Sequence, residues 1–289
     1  MAKPTYLVDV QWLTQHINSP NIIVIDTRFS LPEPDLGRRQ YEAGHIPGAY
    51  YLDLNRDLSS TVKAHGGRHP LPNWNSFVAK LNRIGIHSAS PDGPTQVVIY
   101  DDSRFAFAAR LWWMLRYLGH HHVAILDGGI RAWEAAGLSL SQEVPAEKPG
   151  AFMASPQPDW IVDIDALRLI KDRANVIVID SRSPERWRGE VEPIDPIAGS
   201  VPGSVNAFWQ NVTTATGQLK SEDELSEQWV AIVPKHIASD SPGSSSEVIV
   251  YCGSGVTACV NLFSLVMAGR PMYKLYPGGW SDWCSYLDT

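Results

Sequence analysis

The sequence predicts an α/β protein in which one domain-sized fold is used twice, each copy a mostly parallel sheet flanked by helices. Three observations carry that expectation. Matching segments recur in the same order at a spacing of about 150 residues. Ile22–Arg28 (IIVIDTR) returns as Val176–Arg182 (VIVIDSR), and Gly44–Ala49 (GHIPGA) returns as Gly199–Ser204 (GSVPGS). Val97–Tyr100 (VVIY) returns as the VIVY that ends at Tyr251. Asp127-Gly128-Gly129 returns as Pro277-Gly278-Gly279, each glycine pair leading to a tryptophan, Trp133 and Trp283. Such a period is the size of a domain, so the pattern is a tandem duplication and not a solenoid. The second observation is a set of short, continuously apolar runs rich in β-branched residues, the mark of strands buried on both faces. The third is length: 289 residues suit two domains at roughly 150 residues each.

The elements follow in order. Strands are expected at Ile22–Ile25, Val97–Tyr100, Val123–Leu126, Val176–Ile179 and Val248–Tyr251. Helical periodicity lies between them at Val10–Ile17, Trp74–Ile84, Ala106–Leu118, Ile164–Lys171, Glu222–Ile232 and Thr257–Ala268. The β-α-β order places helices on the sheet faces. Ser141–Asp159 carries prolines 145, 149, 156 and 158 with no periodicity and reads as a linker. The expected domains are therefore residues 1–140 and 160–289, with 141–159 between them.

Composition narrows the function classes. Hydrophobic residues make up 44% and charged residues 19%, which excludes a disordered chain. A net charge of −7 and the lack of any Lys/Arg run longer than two argue against nucleic acid as a partner. No apolar stretch has the length of a membrane span, and the N-terminus does not read as a signal peptide. Cys252, Cys259 and Cys284 are too widely spaced for a zinc site or a disulfide framework, so a reduced, cytoplasmic setting is expected, with no metal or cofactor.

The chemistry centres on Cys252. It ends the strand Val248–Tyr251 and is followed by Gly253-Ser254-Gly255-Val256-Thr257 and an apolar helix. Open α/β sheets place ligands at the C-terminal ends of their strands. Two glycines let the loop curl, so that its N–H groups converge as an anion nest facing a helix N-terminus. Such a cradle favours a thiolate and makes it nucleophilic. Phosphatase chemistry needs a cation in this loop, six residues beyond the cysteine, and that position is Ala258. A sulfur carrier fits better: the thiolate takes a sulfur atom, and the resulting persulfide sits in the ring of N–H donors.

These residues resemble a known family. CGSGVTA, together with VIVIDSR, GHIPGA and the two GG-x-x-x-W segments, is similar to the two-domain sulfurtransferases of the rhodanese family, over nearly the whole chain. The uncharged G-S-G loop resembles the 3-mercaptopyruvate sulfurtransferases among them, whereas thiosulfate-preferring relatives carry basic residues after the cysteine. The resemblance implies an active second copy and an inactive first copy that walls the pocket. The first-copy position matching Cys252 is Asp101, which cannot form a persulfide.

The resemblance also implies roles for further residues. Arg186 stands where the family binds a carboxylate, a task that suits a planar guanidinium. Arg188 could assist it or serve as a plain surface charge. Many relatives carry a second arginine nine residues on; here that position is Asp195, within an acidic stretch, with Arg188 or Arg104 as possible substitutes. Gly253, Gly255, Val256 and Thr257 would line the bound substrate. A proton relay of Ser254, His69 and an aspartate is implied, the aspartate position aligning with Asn55 between Asp53 and Asp57. Arg28 and Arg182, twins in the two copies, read as partners of nearby carboxylates. Of the remaining candidates, His120-His121-His122 follows a helix C-terminus, which favours cationic histidine. Cys259 reads as core, Cys284 as exposed and oxidisable, and Trp112-Trp113 as core or interface. The expected activity is sulfur transfer from 3-mercaptopyruvate through Cys252 to a thiol, which the resemblance suggests is thioredoxin-like, or to cyanide. Thiosulfate as donor, or a non-enzymatic persulfide-binding module, are the alternatives.

Overall fold

A computed structural model describes residues 5–91, 93–234 and 247–287. The chain divides into two compact units. Unit 1 comprises Met1–Ser60, Leu71–Gln157 and Ala215–Gln218; unit 2 comprises Thr61–Pro70, Pro158–Thr214 and Leu219–Thr289.

Unit 1 contains strands β1 (Leu7–Val8), β2 (Ile22–Asp26), β3 (Tyr50–Tyr51), β4 (Gln96–Tyr100) and β5 (Val123–Leu126), in the order β1-β5-β4-β2-β3. Every pairing among them is parallel. Its helices are α1 (Val10–His16), α2 (Leu36–Ala43), α3 (Trp74–Arg83), α4 (Ala108–Tyr117) and α5 (Gly129–Ala135). All ten residues of α4 are buried, Trp112 and Trp113 completely, which makes the tryptophan pair core. A helix buried on every side has no solvent face to offer.

Unit 2 repeats the plan with α6 (Ile164–Ile170), β6 (Val176–Asp180), α7 (Pro184–Trp187), β7 (Val205–Asn206), α8 (Glu222–Ile232), β8 (Glu247–Tyr251), α9 (Ala258–Met267), β9 (Lys274–Leu275) and α10 (Gly279–Trp283). The sheet order is β7-β6-β8-β9, again parallel throughout, and a bridge from Ile161 to Leu275 continues it as β1 does in unit 1. Registers match: Ile22 faces Gln96 and Asp26 faces Tyr100, while Val176 faces Glu247 and Asp180 faces Tyr251. The two-residue strands have no legible period of their own. Their pairing comes from the sheet edge beside them, so sequence patterning passed over them.

The duplicated D-[TS]-R and GHIPGA/GSVPGS segments explain each other. Arg28 Nη2 donates to Asp26 Oδ2 at 2.6 Å and to the Gly44 carbonyl at 2.8 Å; Arg182 Nη2 donates to Asp180 Oδ2 at 2.7 Å and to the Gly199 carbonyl at 2.6 Å. Each buried arginine therefore ties the end of a central strand to the following loop, satisfying the carboxylate it is buried with.

The stretch 141–157 does not hang free. Ser141 pairs with His45, Lys148 with Ile84 and Ala151 with His87, and Ser155 N–H donates to the Leu118 carbonyl, so the proline-rich stretch runs along unit 1 as extended backbone. Thr61–Pro70, which lies between β3 and α3 in sequence, packs within unit 2.

Candidate active site

Two turns meet at the C-terminal end of β8. Cys252, 2% exposed, begins the loop, and α9 begins at Ala258. The α9 residues Ala258–Leu265 are all buried, which fixes the loop from its far side. The Pro277-Gly278-Gly279 turn holds it from below: Trp280 N–H donates to the Cys252 carbonyl at 2.8 Å and Ser281 N–H to that of Gly253 at 2.9 Å. Gly255 has φ +72° and lies so close to the Pro277 carbonyl that a Cβ would overlap it. Gly279 has φ +63°, and a Cβ there would fall 2.6 Å from the Cys252 carbonyl. Both positions require glycine for conformation and for space. Among the described residues, the N–H groups of Gly253, Ser254, Val256 and Thr257 meet no acceptor within the chain. They are the donors an anion at the cysteine would use.

The segment 65–69 reaches this loop from within unit 2. Gly66 N–H donates to Asp282 Oδ1 at 2.6 Å, and His65 stacks on Tyr286 with ring centroids 3.9 Å apart. Gly67, at φ +81°, lies against the Gly278 carbonyl with no room for a side chain. This docking sets His69 Nδ1 2.8 Å from Ser254 Oγ, with both residues buried. The tautomer of His69 decides which atom donates. Asp53 and Asp57, the aspartates considered for the relay, are occupied within unit 1. Asp53 Oδ1 accepts from the N–H groups of Asn55 and Arg56, and Asp57 pairs with Lys80.

Arg186, in α7, lies at the same loop. Its Nε and Nη2 donate to Glu192 at 3.1 and 2.7 Å, and Nη2 stands 3.4 Å from Asp195 Oδ2. Glu192 also accepts from Arg182 at 3.1 Å. Burial works against its charge, but the bonds from Arg186 and from the Ile194 and Asp195 N–H groups outweigh that, holding its carboxyl below the usual range. Asp195, the residue found where a second arginine was expected, accepts from Arg68. Arg188 pairs with Glu190, both close to half exposed. Val256 is buried and Thr257 half-buried at the α9 N-terminus.

Sequence reasoning missed Arg68, Glu192, Asp282 and the glycines Gly66-Gly67. The one signal on offer was the Gly-Gly-Arg directly before His69. Two further expectations are corrected. Cys284 is buried at 2% among Tyr276, Trp280 and Trp283, because the chain turns its last helix back onto the core. His120 is buried, its Nε2 donating to the Thr95 carbonyl at 2.8 Å, and burial pushes its pKa down to about 4, so it is neutral where a helix end had suggested a cation. Cys259 is core, as expected, its thiol donating to the Gly255 carbonyl at 3.4 Å. No helix among the described residues is long and apolar enough to cross a membrane, and they hold no cluster of metal-binding side chains.

Comparisons with known proteins place this geometry. The family model described as Rhodanese-like domain matches residues 9–136 and again 163–286. A Pseudomonas aeruginosa protein named as a probable 3-mercaptopyruvate sulfurtransferase is 40% identical, covering 96% of this chain and 94% of its own length. The Escherichia coli K12 3-mercaptopyruvate sulfurtransferase is 32% identical over 98% of this chain and 96% of its own. A Mycobacterium tuberculosis relative, 38% identical over 91% of this chain and 88% of its own, bears a provisional thiosulfate sulfurtransferase name. Among solved structures, SseA from Escherichia coli superposes with a TM-score of 0.81 at 32% identity, covering 96% of this chain and 99% of that one.

Proposed function

The chain belongs to the rhodanese-like family, and from that premise we propose that it is a sulfurtransferase that takes sulfur from 3-mercaptopyruvate. The observation that carries this reading is the Cys252 loop: a cysteine at the end of a central parallel strand, N–H donors without acceptors beside it, and Ser254 in contact with His69 at 2.8 Å.

The Cys252 thiolate attacks the sulfur of the donor, forming an S–S bond while the C–S bond breaks and its electron pair passes to the enolate of pyruvate. The persulfide proton then moves to the enolate carbon, so that one mercaptopyruvate gives one pyruvate and one Cys252 persulfide anion. The loop N–H groups of Gly253 to Thr257 hold that anion. Ser254 and His69 carry the proton between sulfur and enolate, hydroxyl and imidazole being groups that can both give and take a proton. Arg186 takes the substrate carboxylate; Arg188 is engaged with Glu190 in an exposed ion pair. A thiol then attacks the outer sulfur, leaving as a persulfide and returning the Cys252 thiolate; cyanide leaves as thiocyanate. A thioredoxin-like dithiol in the cytoplasm is the proposed physiological acceptor.

Mass spectrometry after incubation with 3-mercaptopyruvate tests the site. A gain of about 32 Da, one sulfur atom, is expected on the peptide containing Cys252 together with released pyruvate. Both disappear in Cys252→Ser, and an adduct that survives there overturns the assignment. Thiosulfate is the second reading, because guanidinium groups beside Gly253 suit a sulfonate as well as a carboxylate. The ratio of kcat/KM for the two donors decides between them.

A further inference from the structure

We propose that Arg68 is the second guanidinium of the substrate-carboxylate site, held in place by Asp195. This inference rests on the mercaptopyruvate reading and names the group that completes its specificity.

The geometry at Gly253 points to it. A methyl group built on Gly253 would lie 2.9 Å from Arg68 Nη2, 3.5 Å from Arg186 Nη2 and 3.8 Å from Arg186 Nη1. Two guanidinium groups thus converge over the residue next to the nucleophile, and the absence of a side chain at 253 leaves them room. Their acidic partners lie beneath them. The Asp195 and Glu192 side chains are each 2% exposed, whereas those of Arg68 and Arg186 are 25% and 17% exposed. Arg68 spends Nη1 on Asp195 Oδ1, and Arg186 spends Nε and Nη2 on Glu192, with Nη2 also facing Asp195. Among the described residues, Arg68 Nε and Nη2 and Arg186 Nη1 have no acceptor in the chain.

Asp195 is therefore a positioning residue. An arginine at 195 would supply charge directly; an aspartate there instead orients an arginine brought in by the segment that also delivers His69. A guanidinium fork fixed by a buried carboxylate presents its remaining N–H pair with little orientational freedom to lose on binding. A carboxylate bound by Arg68 and Arg186 together places the substrate's far end over Gly253, one residue from Cys252.

The test compares two donors that differ only at the recognised group: 3-mercaptopyruvate, and 1-mercaptopropan-2-one, in which a methyl replaces the carboxylate. In Arg68→Gln, kcat/KM for 3-mercaptopyruvate is expected to fall about 10- to 100-fold, mainly through KM, as for a lost charge-assisted hydrogen bond. The same variant should use 1-mercaptopropan-2-one within about twofold of the parent enzyme, and inhibition by pyruvate should weaken in parallel with the KM change. Arg68→Lys, with charge but no fork, should recover part of the loss. An unchanged KM in Arg68→Gln overturns the proposal. So does an equal fall for both donors, because that pattern belongs to a residue that merely holds His69 in place. Thermal unfolding of each variant shows whether the fold is intact. If the parent enzyme releases no pyruvate from 3-mercaptopyruvate, the functional reading itself fails, an outcome distinct from a parent enzyme that turns over and an Arg68→Gln variant that matches it.

Discussion

The loops that follow β4 and β8 occupy the same place in two copies of one fold and solve opposite problems. In unit 2 Cys252 follows the strand, and among the described residues the N–H groups of Gly253, Ser254, Val256 and Thr257 meet no acceptor. In unit 1 the strand ends at Asp101, and the carboxylate takes up the loop's donors itself. Oδ1 accepts from Ser103 and Phe105 at 2.9 and 3.2 Å, and Oδ2 from Phe107 and Ala108, both at 3.0 Å. The first copy carries its own anion. Burial raises the Asp101 pKa, and the backbone N–H groups of Ala108, Ser103 and Phe107 oppose that rise. The scaffolding around both loops is shared. Ile130 N–H donates to the Asp101 carbonyl at 3.1 Å as Trp280 N–H does to that of Cys252, and a Cβ on Gly129 would overlap the Asp101 carbonyl. The unit 1 loop is one residue longer before its helix and puts Arg104 and Phe105 at positive φ, where unit 2 uses Gly255. Left-handed backbone at two non-glycine residues costs about 1–2 kcal/mol each, a cost that a loop organised around a fixed carboxylate can offset. An anion cradle thus becomes either a structural element or a reaction site according to whether its donors are already filled.

That contrast can be broken experimentally. The largest expected effect is on activity: Cys252→Ala should reduce sulfur transfer to background while leaving the urea midpoint nearly unchanged, since a buried cysteine behaves as a small apolar side chain. Asp101→Ala should do the reverse, lowering unfolding free energy by about 3–5 kcal/mol because buried donors lose their acceptor. A Cys252→Ala variant that melts as early as Asp101→Ala would mean that the two loops are equally structural. Acid should act on unit 1 through His120. Its folded pKa of about 4 lies below the unfolded value of 6.5, so its contribution is complete above pH 6.5 and is lost as pH falls through about 4. The difference amounts to about 3 kcal/mol, and a His120→Gln variant should show a flatter dependence of thermal midpoint on pH over that range. The smallest effect belongs to the relay: Ser254→Ala should lower kcat by about 10- to 100-fold with the persulfide still detectable by mass spectrometry. Loss of the persulfide itself in that variant would make Ser254 part of the sulfur cradle and not of the proton path.

The amino-acid sequence determined the duplication, the central strands, the glycine-pair turns and the nucleophile loop. Each of these is written in contiguous residues, where periodicity and local backbone requirements leave a direct trace. Cys252 was legible because strand, cysteine, glycines and helix follow one another within a dozen positions; Asp101 was legible because the repeat aligned it. Arg28 and Arg182 were legible as carboxylate partners because their aspartates stand two residues away. Tertiary structure alone decided the rest. Arg68 meets Asp195 across 127 positions of chain, and Gly66 meets Asp282 across 216. Nothing in the spacing of such residues records that Thr61–Pro70 packs within unit 2, beside the cysteine turn. The same holds for Cys284 and His120, whose environments come from what packs over them and not from their neighbours in sequence. Local chemistry marked the proposed nucleophile; long-range packing chose which arginine stands beside it, because the position of a charge in space depends on every contact that holds its segment down.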